Sequence, residues 1–502
     1  MKKILILSSI ALLALAFPTA CSSDDDDDNP SSGGSSSVGG GGAGGGTAVG
    51  GTTAKTTTAS TGGKSTTGGA ASTVGGASGG KSGTAGTAGA AAGNAGTAGT
   101  AGTDSGANKK WIGTWQTSLQ ITETNNLPEG GTVDNTGITN STIRQIVRIS
   151  VGGSRFRLKL SNEHGSAPVV MESIHIAKSA GGGAIDVATD KALTVAGQAA
   201  VTIPKEGAVL TDAFDFDVAP LSNLAISIKF GTQTKEVTGH PGSRTTSYLK
   251  RDGNFVSDAT LADTSIKPVH WYFISAIDVL APETAAAVAV LGDSLTDGRG
   301  STNDGNDRWT DILANRLQAN AATKFVGVLN HGIGGNNILT GGLGPTAKVR
   351  FDHDILNATG VKWMIVLHGV NDIGGSTTDI SGDLIAAYQE FVTKARQKGI
   401  KAYGSPILPF GGSTTTAGTQ KYDTPEHQLI RDKVNAWIRT PGNFDAVIDL
   451  DAAVRDPAVV APDPAKLFKD YAEPLWVGVD YLHLNAAGYK KMGDSVDLAL
   501  FQ

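Results

Sequence analysis

From about residue 110 to 280, apolar and polar positions alternate with a period of two. In IVRISVGGSRFRLKLSN, Val147, Ile149 and Val151 fall on one face, and Phe156, Leu158 and Leu160 do so again after Gly152-Gly153. A Gly-Gly step between two alternating runs predicts a hairpin. SIHIAK, AAVTIP, AFDFDV and LAISIKF repeat the pattern, separated by Gly, Pro and Asn. Many short alternating strands without a long helical period predict a β-sandwich or jelly roll over 110–280.

Beyond Pro282 the rhythm changes. Continuous apolar runs (AAAVAVLG, FVGVLN, WMIVLHG, AYGSPILP, FDAVIDL) alternate with amphipathic stretches (RWTDILANRLQ, DLIAAYQEFVTKARQKG, HQLIRDKVNAWI, AAGYKKMGDSVDLAL). Strands apolar on both faces and separated by helices predict an α/β domain over 284–502. It would hold a parallel five-stranded sheet covered by helices. Ligands of such sheets bind beyond the carboxyl ends of the strands. The first of these strands runs into Gly292-Asp293-Ser294, which sets a serine at that edge.

The N-terminal fifth is different in kind. Residues 1–21, MKKILILSSIALLALAFPTAC, join a basic start (Lys2, Lys3) to an apolar stretch from Ile4 to Phe17 that is short for a membrane span. The pattern is that of an export signal. Cys21, the only cysteine, falls where such a signal is cut and resembles the lipid-acceptor residue of a bacterial lipoprotein. Thr19 and Ala20 before it are suitably small, whereas Pro18 stands where a branched aliphatic is usual. The expectation is an exported, lipid-anchored cell-envelope protein, with simple secretion as the alternative. Residues 22–109 are almost entirely Gly, Ser, Thr and Ala, too polar and too small to offset the entropy of ordering. A coil of that length spans roughly 50 Å, enough to hold a folded part clear of a membrane.

Charge narrows the class of partner. The net charge is −6, with five aspartates concentrated in the run 24–28 and no basic stripe. No nucleic-acid partner is therefore expected. One cysteine excludes an internal disulfide, so the fold must rest on its core. The absence of HExxH and CxxC spacings predicts no metal, and no cofactor is called for.

A serine hydroxyl becomes a nucleophile when a base takes its proton and a further group fixes that base. His483, in VGVDYLHLN, has Asp480 three residues before it. In a loop or a first helical turn such a pair can lie side by side, with Nε2 left to face Ser294. Asp293 adjoins the serine, but neighbouring side chains diverge, so it reads as a loop-ordering carboxylate. Donors for a developing oxyanion are offered by the Ser294 N–H and by two loops after strands, LNHGIGGNN and LHGVND, the second carrying Asn371. His331, His353, His368 and His427 read as packing or surface residues.

GDSL at 292–295, the glycine loop at 330–336, GVND at 369–372 and DYLH at 480–483 occur in one order. That order resembles the SGNH (GDSL) hydrolase family of esterases and lipases, and the resemblance covers about 285–502. It implies a flavodoxin-like sheet and Ser294 as nucleophile and first oxyanion donor. Gly335 and Asn371 would be the other donors, with Gly332 and Gly334 close by, and Asp480 with His483 would be orienter and base. The β-domain, with TIRQIV and a later TTSY, is similar to that of two-domain secreted members. His368 and Leu484 depart from the family pattern at positions expected on the pocket wall, and so on specificity.

The expected activity is serine-dependent hydrolysis of carboxylic esters, chiefly deacetylation of carbohydrate or other short-chain esters through an acyl-enzyme. A lipase or lysophospholipase is the alternative within that chemistry; a non-catalytic, tethered glycan-binding or adhesion protein is the alternative outside it. Apolar strips near the catalytic loops would favour lipid, and aromatic rims at Trp309 or Trp476 would favour sugar.

Overall fold

The structure is a computed structural model describing residues 108–131, 136–232, 236–474 and 478–502. The export signal, Cys21, all but the last two residues of the Gly/Ser/Thr/Ala stretch, and Trp476 lie outside the described residues.

Two antiparallel sheets form the first layer pair. One runs in the order Lys109–Gln116, Ile274–Pro282, Gly153–Asn162, Phe214–Val218; the other runs Tyr248–Lys250, Thr142–Arg148, Asn223–Phe230, Val169–Gly181. Alternating side chains of both sheets meet in one core that holds Val147, Ile149, Phe156, Leu158, Ile226 and Ile277. This is the β-sandwich that the period-two pattern predicts.

The hairpin expected at Gly152-Gly153 does not form. Thr142–Arg148 pairs with Asn223–Phe230 and Tyr248–Lys250, whereas Gly153–Asn162 belongs to the opposite sheet. The two strands face each other across the core instead of hydrogen-bonding edge to edge. Alternation reports which residues turn inward and is blind to which sheet a strand joins. The glycine serves a close approach: a Cβ at 152 would run into the backbone of Val218 and Pro220.

The second part is a parallel sheet in the spatial order Val326–Gly332, Ala286–Gly292, Val361–Leu367, Lys401–Gly404, Ala446–Val447. Numbered along the chain this is 2-1-3-4-5, a flavodoxin-like doubly wound order. Every residue of Ala286–Gly292 is buried, which accounts for its unbroken apolar run. Helices Trp309–Ala319, Ser381–Gln397, Pro425–Arg439 and Ala486–Ser495 cover the sheet. Trp309 is fully buried on the first of these, so it packs the core and is not an aromatic rim.

The sandwich is bonded directly to the parallel sheet. Gly113 N donates to Thr359 O at 2.8 Å, and Val328 N donates to Ser150 Oγ at 3.0 Å. The chain changes direction between its first and third parallel strands, and there the sheet leaves a crevice at its carboxyl edge.

Substituting Gly152 with Ala sets a methyl group against backbone atoms that cannot swing aside. The expected loss is about 1–3 kcal/mol, read as a lower midpoint in thermal unfolding; an unchanged midpoint contradicts this packing.

Candidate active site

The strand Ala286–Gly292 ends in a glycine, where a Cβ would run into the Thr296 side chain, so only glycine permits the tight exit. Asp293 then accepts from Leu295 N at 3.0 Å and caps the short helix Ser294–Asp297. The Asp293 carboxyl thus orders the turn, as its position beside the serine suggested. Burial pushes it up to about 7, against the hydrogen bond from Leu295. Gly298, at φ 104, ends the helix after one turn. The strand–turn–helix therefore holds Ser294 at the carboxyl edge of the sheet, 3% exposed.

Ser294 Oγ lies 3.0 Å from His483 Nε2. On the other side of the ring, Nδ1 is 2.5 Å from Asp480 Oδ2. A carboxylate only accepts, so Nδ1 carries the proton and Nε2 is free to accept from the serine hydroxyl. Asp480 and His483 do not occupy a loop or a helical turn. They lie on the strand Val479–Leu484, where side chains three apart would ordinarily point to opposite faces. Tyr481 between them has φ 56, and this left-handed kink turns both to one side. Behind them Asn485 accepts from Gly488 N at 3.0 Å and caps the helix Ala486–Ser495.

Burial alone would lower the basicity of the His483 imidazole. The hydrogen bond and charge of Asp480, with Glu473 beyond, outweigh it and hold the pKa above the ordinary 6.5. Asp480 is likewise buried, which opposes ionisation. Hydrogen bonds from His483 and Thr415 reverse that and hold it below the usual carboxylate value. Glu473, Asp480 and His483 are a grouping among the described residues whose ligand atoms, within 4.8 Å of one another, could face a metal. The proton shared by Nδ1 and Asp480 occupies that space, and a cation would have to displace it.

A cavity of about 300 Å³ opens on these groups. Ser294, Gly335, Asn371, Tyr422, Leu482 and His483 are among its lining residues. Of the three nearby glycines only Gly335, at φ 64, lies on the wall; Gly332 packs against the backbone of Asp297. Asn371 Nδ2 donates to Asn336 O at 2.9 Å, and Asp372 accepts from Ile338 N and Leu339 N at 2.8 and 2.9 Å. These bonds fasten the glycine loop to the GVND turn. Ser294, Gly335, Asn371, Asp480 and His483 are thus brought together at one crevice, drawn from four separate segments.

His368 and Leu484 are not on the wall. His368 lies beneath it, with Nε2 3.1 Å from Asn336 Oδ1 and Nδ1 accepting from Gly369 N at 2.8 Å. Burial keeps this ring neutral, its pKa well below the ordinary value. Leu484 is fully buried in the core. Both positions therefore act on the pocket only through the loops above them.

Sequence reasoning passed over Arg350. Its buried guanidinium donates to Gly292 O (2.8 Å), His331 O (2.7 Å), Asn336 Oδ1 (3.0 Å), Ser118 Oγ (2.9 Å) and Asp354 Oδ2 (2.9 Å). It ties the ends of two parallel strands, the glycine loop and the sandwich to one cation. In AKVRFDHD an arginine among charged neighbours resembles a solvated helix face, and no local signal distinguishes it.

The His483 titration tests this geometry. Protonated His483 favours the folded state, because its folded value stands above the unfolded one. That contribution is complete below about 6.5 and is lost as pH rises through the raised value. Proton NMR of the full chain should show the imidazole titrating above 6.5, and below the wild-type value in Asp480→Asn; identical titrations contradict the pairing.

Residues 290–491 match the GDSL-like Lipase/Acylhydrolase family. No curated protein matches the chain. Similar solved structures include an acetyl xylan esterase from Geobacillus stearothermophilus, 18% identical with a TM-score of 0.31, covering 42% of this chain and 94% of its own. A carbohydrate acetylesterase from Sinorhizobium meliloti is 13% identical with a TM-score of 0.31, covering 43% of this chain and 100% of its own. A GDSL-like lipase from Bacteroides thetaiotaomicron is 16% identical with a TM-score of 0.31, covering 43% and 87%. The segment 290–491 is accordingly a GDSL-like lipase/acylhydrolase domain of the SGNH type, and the chain that carries it is an ester-hydrolysing enzyme.

Proposed function

We propose that this enzyme removes short acyl groups, acetyl first among them, from carbohydrate or other small esters through an acyl-enzyme on Ser294. The observation that carries the reading is the alignment of Ser294 Oγ, His483 and Asp480 at 3.0 and 2.5 Å. Ser294 Oγ attacks the ester carbonyl while His483 Nε2 takes its proton. The oxyanion receives hydrogen bonds from the N–H groups of Ser294 and Gly335 and from Asn371 Nδ2, each contributing about 3 kcal/mol. His483 then gives the proton to the leaving alcohol, and water repeats the sequence to release the acid. Asp480 remains ionised and stabilises the imidazolium.

Cavity size supports a small acyl group. About 300 Å³ is the lower end of small-molecule pockets, and it is shared by acyl group and alcohol. Among the described residues the exposed large hydrophobic side chains, such as Val349, Leu429 and Val460, are scattered, and none of them lines the cavity. We place the enzyme outside the cytoplasm, tethered to an envelope membrane through Cys21 on the Gly/Ser/Thr/Ala stretch, on the strength of residues 1–21. No helix among the described residues is long and apolar enough to cross a membrane.

With nitrophenyl esters of increasing chain length, turnover should be fastest for acetyl and fall with each lengthening. Ser294→Ala should lose on the order of 10⁴-fold or more on the best of them. A preference for long acyl chains favours a lipase instead, and retained turnover in Ser294→Ala removes the serine mechanism.

A further inference from the structure

After the strand Lys401–Gly404 the chain folds back as a small antiparallel ribbon, Thr416–Ala417 with Gln420–Lys421. Thr415, Thr416, Ala417, Gly418 and Tyr422 from this ribbon form one wall of the cavity. Its feet are fastened. Gly412 N donates to Asp423 Oδ2 at 2.6 Å, Tyr422 N donates to Thr415 O at 3.2 Å, and Gln428 on the helix Pro425–Arg439 donates to Asp423 Oδ1 at 2.9 Å.

Two hydroxyls of this one ribbon reach opposite poles of the reacting centre. Thr415 Oγ1 donates to Asp480 Oδ1 at 2.6 Å, the carboxylate oxygen that His483 does not use. Tyr422 Oη donates to Asn371 Oδ1 at 2.6 Å. The orientation of the Asn371 amide follows from its partners. Asn336 O, 2.9 Å away, is a backbone carbonyl and can only accept, so it faces Nδ2 and the tyrosine hydroxyl faces Oδ1. A flipped amide would set oxygen against oxygen at Asn336. The second N–H of Nδ2 is thereby left for the cavity that Asn371 lines. The Tyr422 ring packs on Gly374 of the helix Val370–Gly374, where a Cβ would strike the ring. That contact fixes the height of the hydroxyl over the amide.

We propose that Thr415 and Tyr422 are positioning residues of the esterase reaction, setting the Asp480 carboxylate and the Asn371 amide from a single ribbon over the pocket. The inference rests on the catalytic reading of Ser294, His483 and Asn371 given above. Tyr422 acts on the transition state, because the amide it orients meets the oxygen only when that oxygen is charged. Thr415 acts on the base. A carboxylate relieved of a donor holds the imidazolium more tightly, so losing the threonine hydroxyl raises the pH at which His483 becomes neutral.

Kinetics of the full chain on a nitrophenyl acetate, with Ser294→Ala run beside the other variants, test this. Tyr422→Phe should lower kcat about tenfold, less than loss of a whole oxyanion donor, with KM nearly unchanged. Thr415→Val should move the acidic limb of the kcat/KM profile up by about half a pH unit, and Thr415→Ser should return it. A merely structural role would lower the folded fraction, read from the thermal midpoint, without moving that limb. A wild-type limb in Thr415→Val, or a Tyr422→Phe loss confined to KM, overturns the proposal while Ser294→Ala stays inactive. Turnover by Ser294→Ala overturns the catalytic reading itself.

Discussion

The hydrogen bond between the Ser294 hydroxyl and His483 Nε2 joins residues 189 positions apart, so it is a property of the whole α/β domain. It forms because the first and last segments of that domain are both anchored at the carboxyl edge of the sheet. Ser294 is held by the buried strand Ala286–Gly292, whose fully buried branched and leucine side chains each contribute about 1.5–3 kcal/mol. His483 is held by the strand Val479–Leu484, paired with Ala472–Pro474 and closed by the Asn485 cap. A shift of either support by about 1 Å would break this contact, and the proposed reaction depends on near-attack geometry.

The sandwich takes part in that support. His240 Nε2 lies 2.9 Å from Asp297 Oδ1 on the helix that begins with Ser294, and Arg244 lies 3.7 Å from the other oxygen. Arg308, next to the helix Trp309–Ala319, donates to Asp297 O and to Ser243 O in the sandwich. Ser118 of the sandwich accepts from Arg350 and donates to Asp354 at 2.5 Å. Removing one member of a buried pair such as Arg350–Asp354 leaves an uncompensated charge, at about 3–5 kcal/mol. The β-domain is therefore bonded to the helix that begins with Ser294 and, through Arg350, to the glycine loop.

The strands of the parallel sheet were legible because burial on both faces leaves an unbroken apolar run. That Ser294, Gly335, Asn371, Asp480 and His483 meet at one crevice was legible because four short motifs follow one another in a fixed order along the α/β part. What the sequence hid is long-range. Period-two alternation marked Thr142–Arg148 and Gly153–Asn162 as strands and placed them wrongly in one hairpin, since pairing depends on partners far along the chain. Trp309 looked like a rim and is core, because a tryptophan's side of a helix is decided by what packs on it. Thr415 and Tyr422 lie in a Gly/Thr-rich stretch without a motif, and their hydrogen-bond partners stand 65 and 51 positions away. The kink at Tyr481 carries no sequence signal, since tyrosine is an unusual occupant of positive φ.

The most direct measurement is covalent trapping. The full chain, treated with a small phosphonate ester that reacts with activated serines, is digested and its adduct located by mass spectrometry. One adduct is expected, on Ser294, forming much more slowly when His483 is replaced by Ala. An adduct on another residue, or ester hydrolysis that continues after complete modification of Ser294, contradicts it.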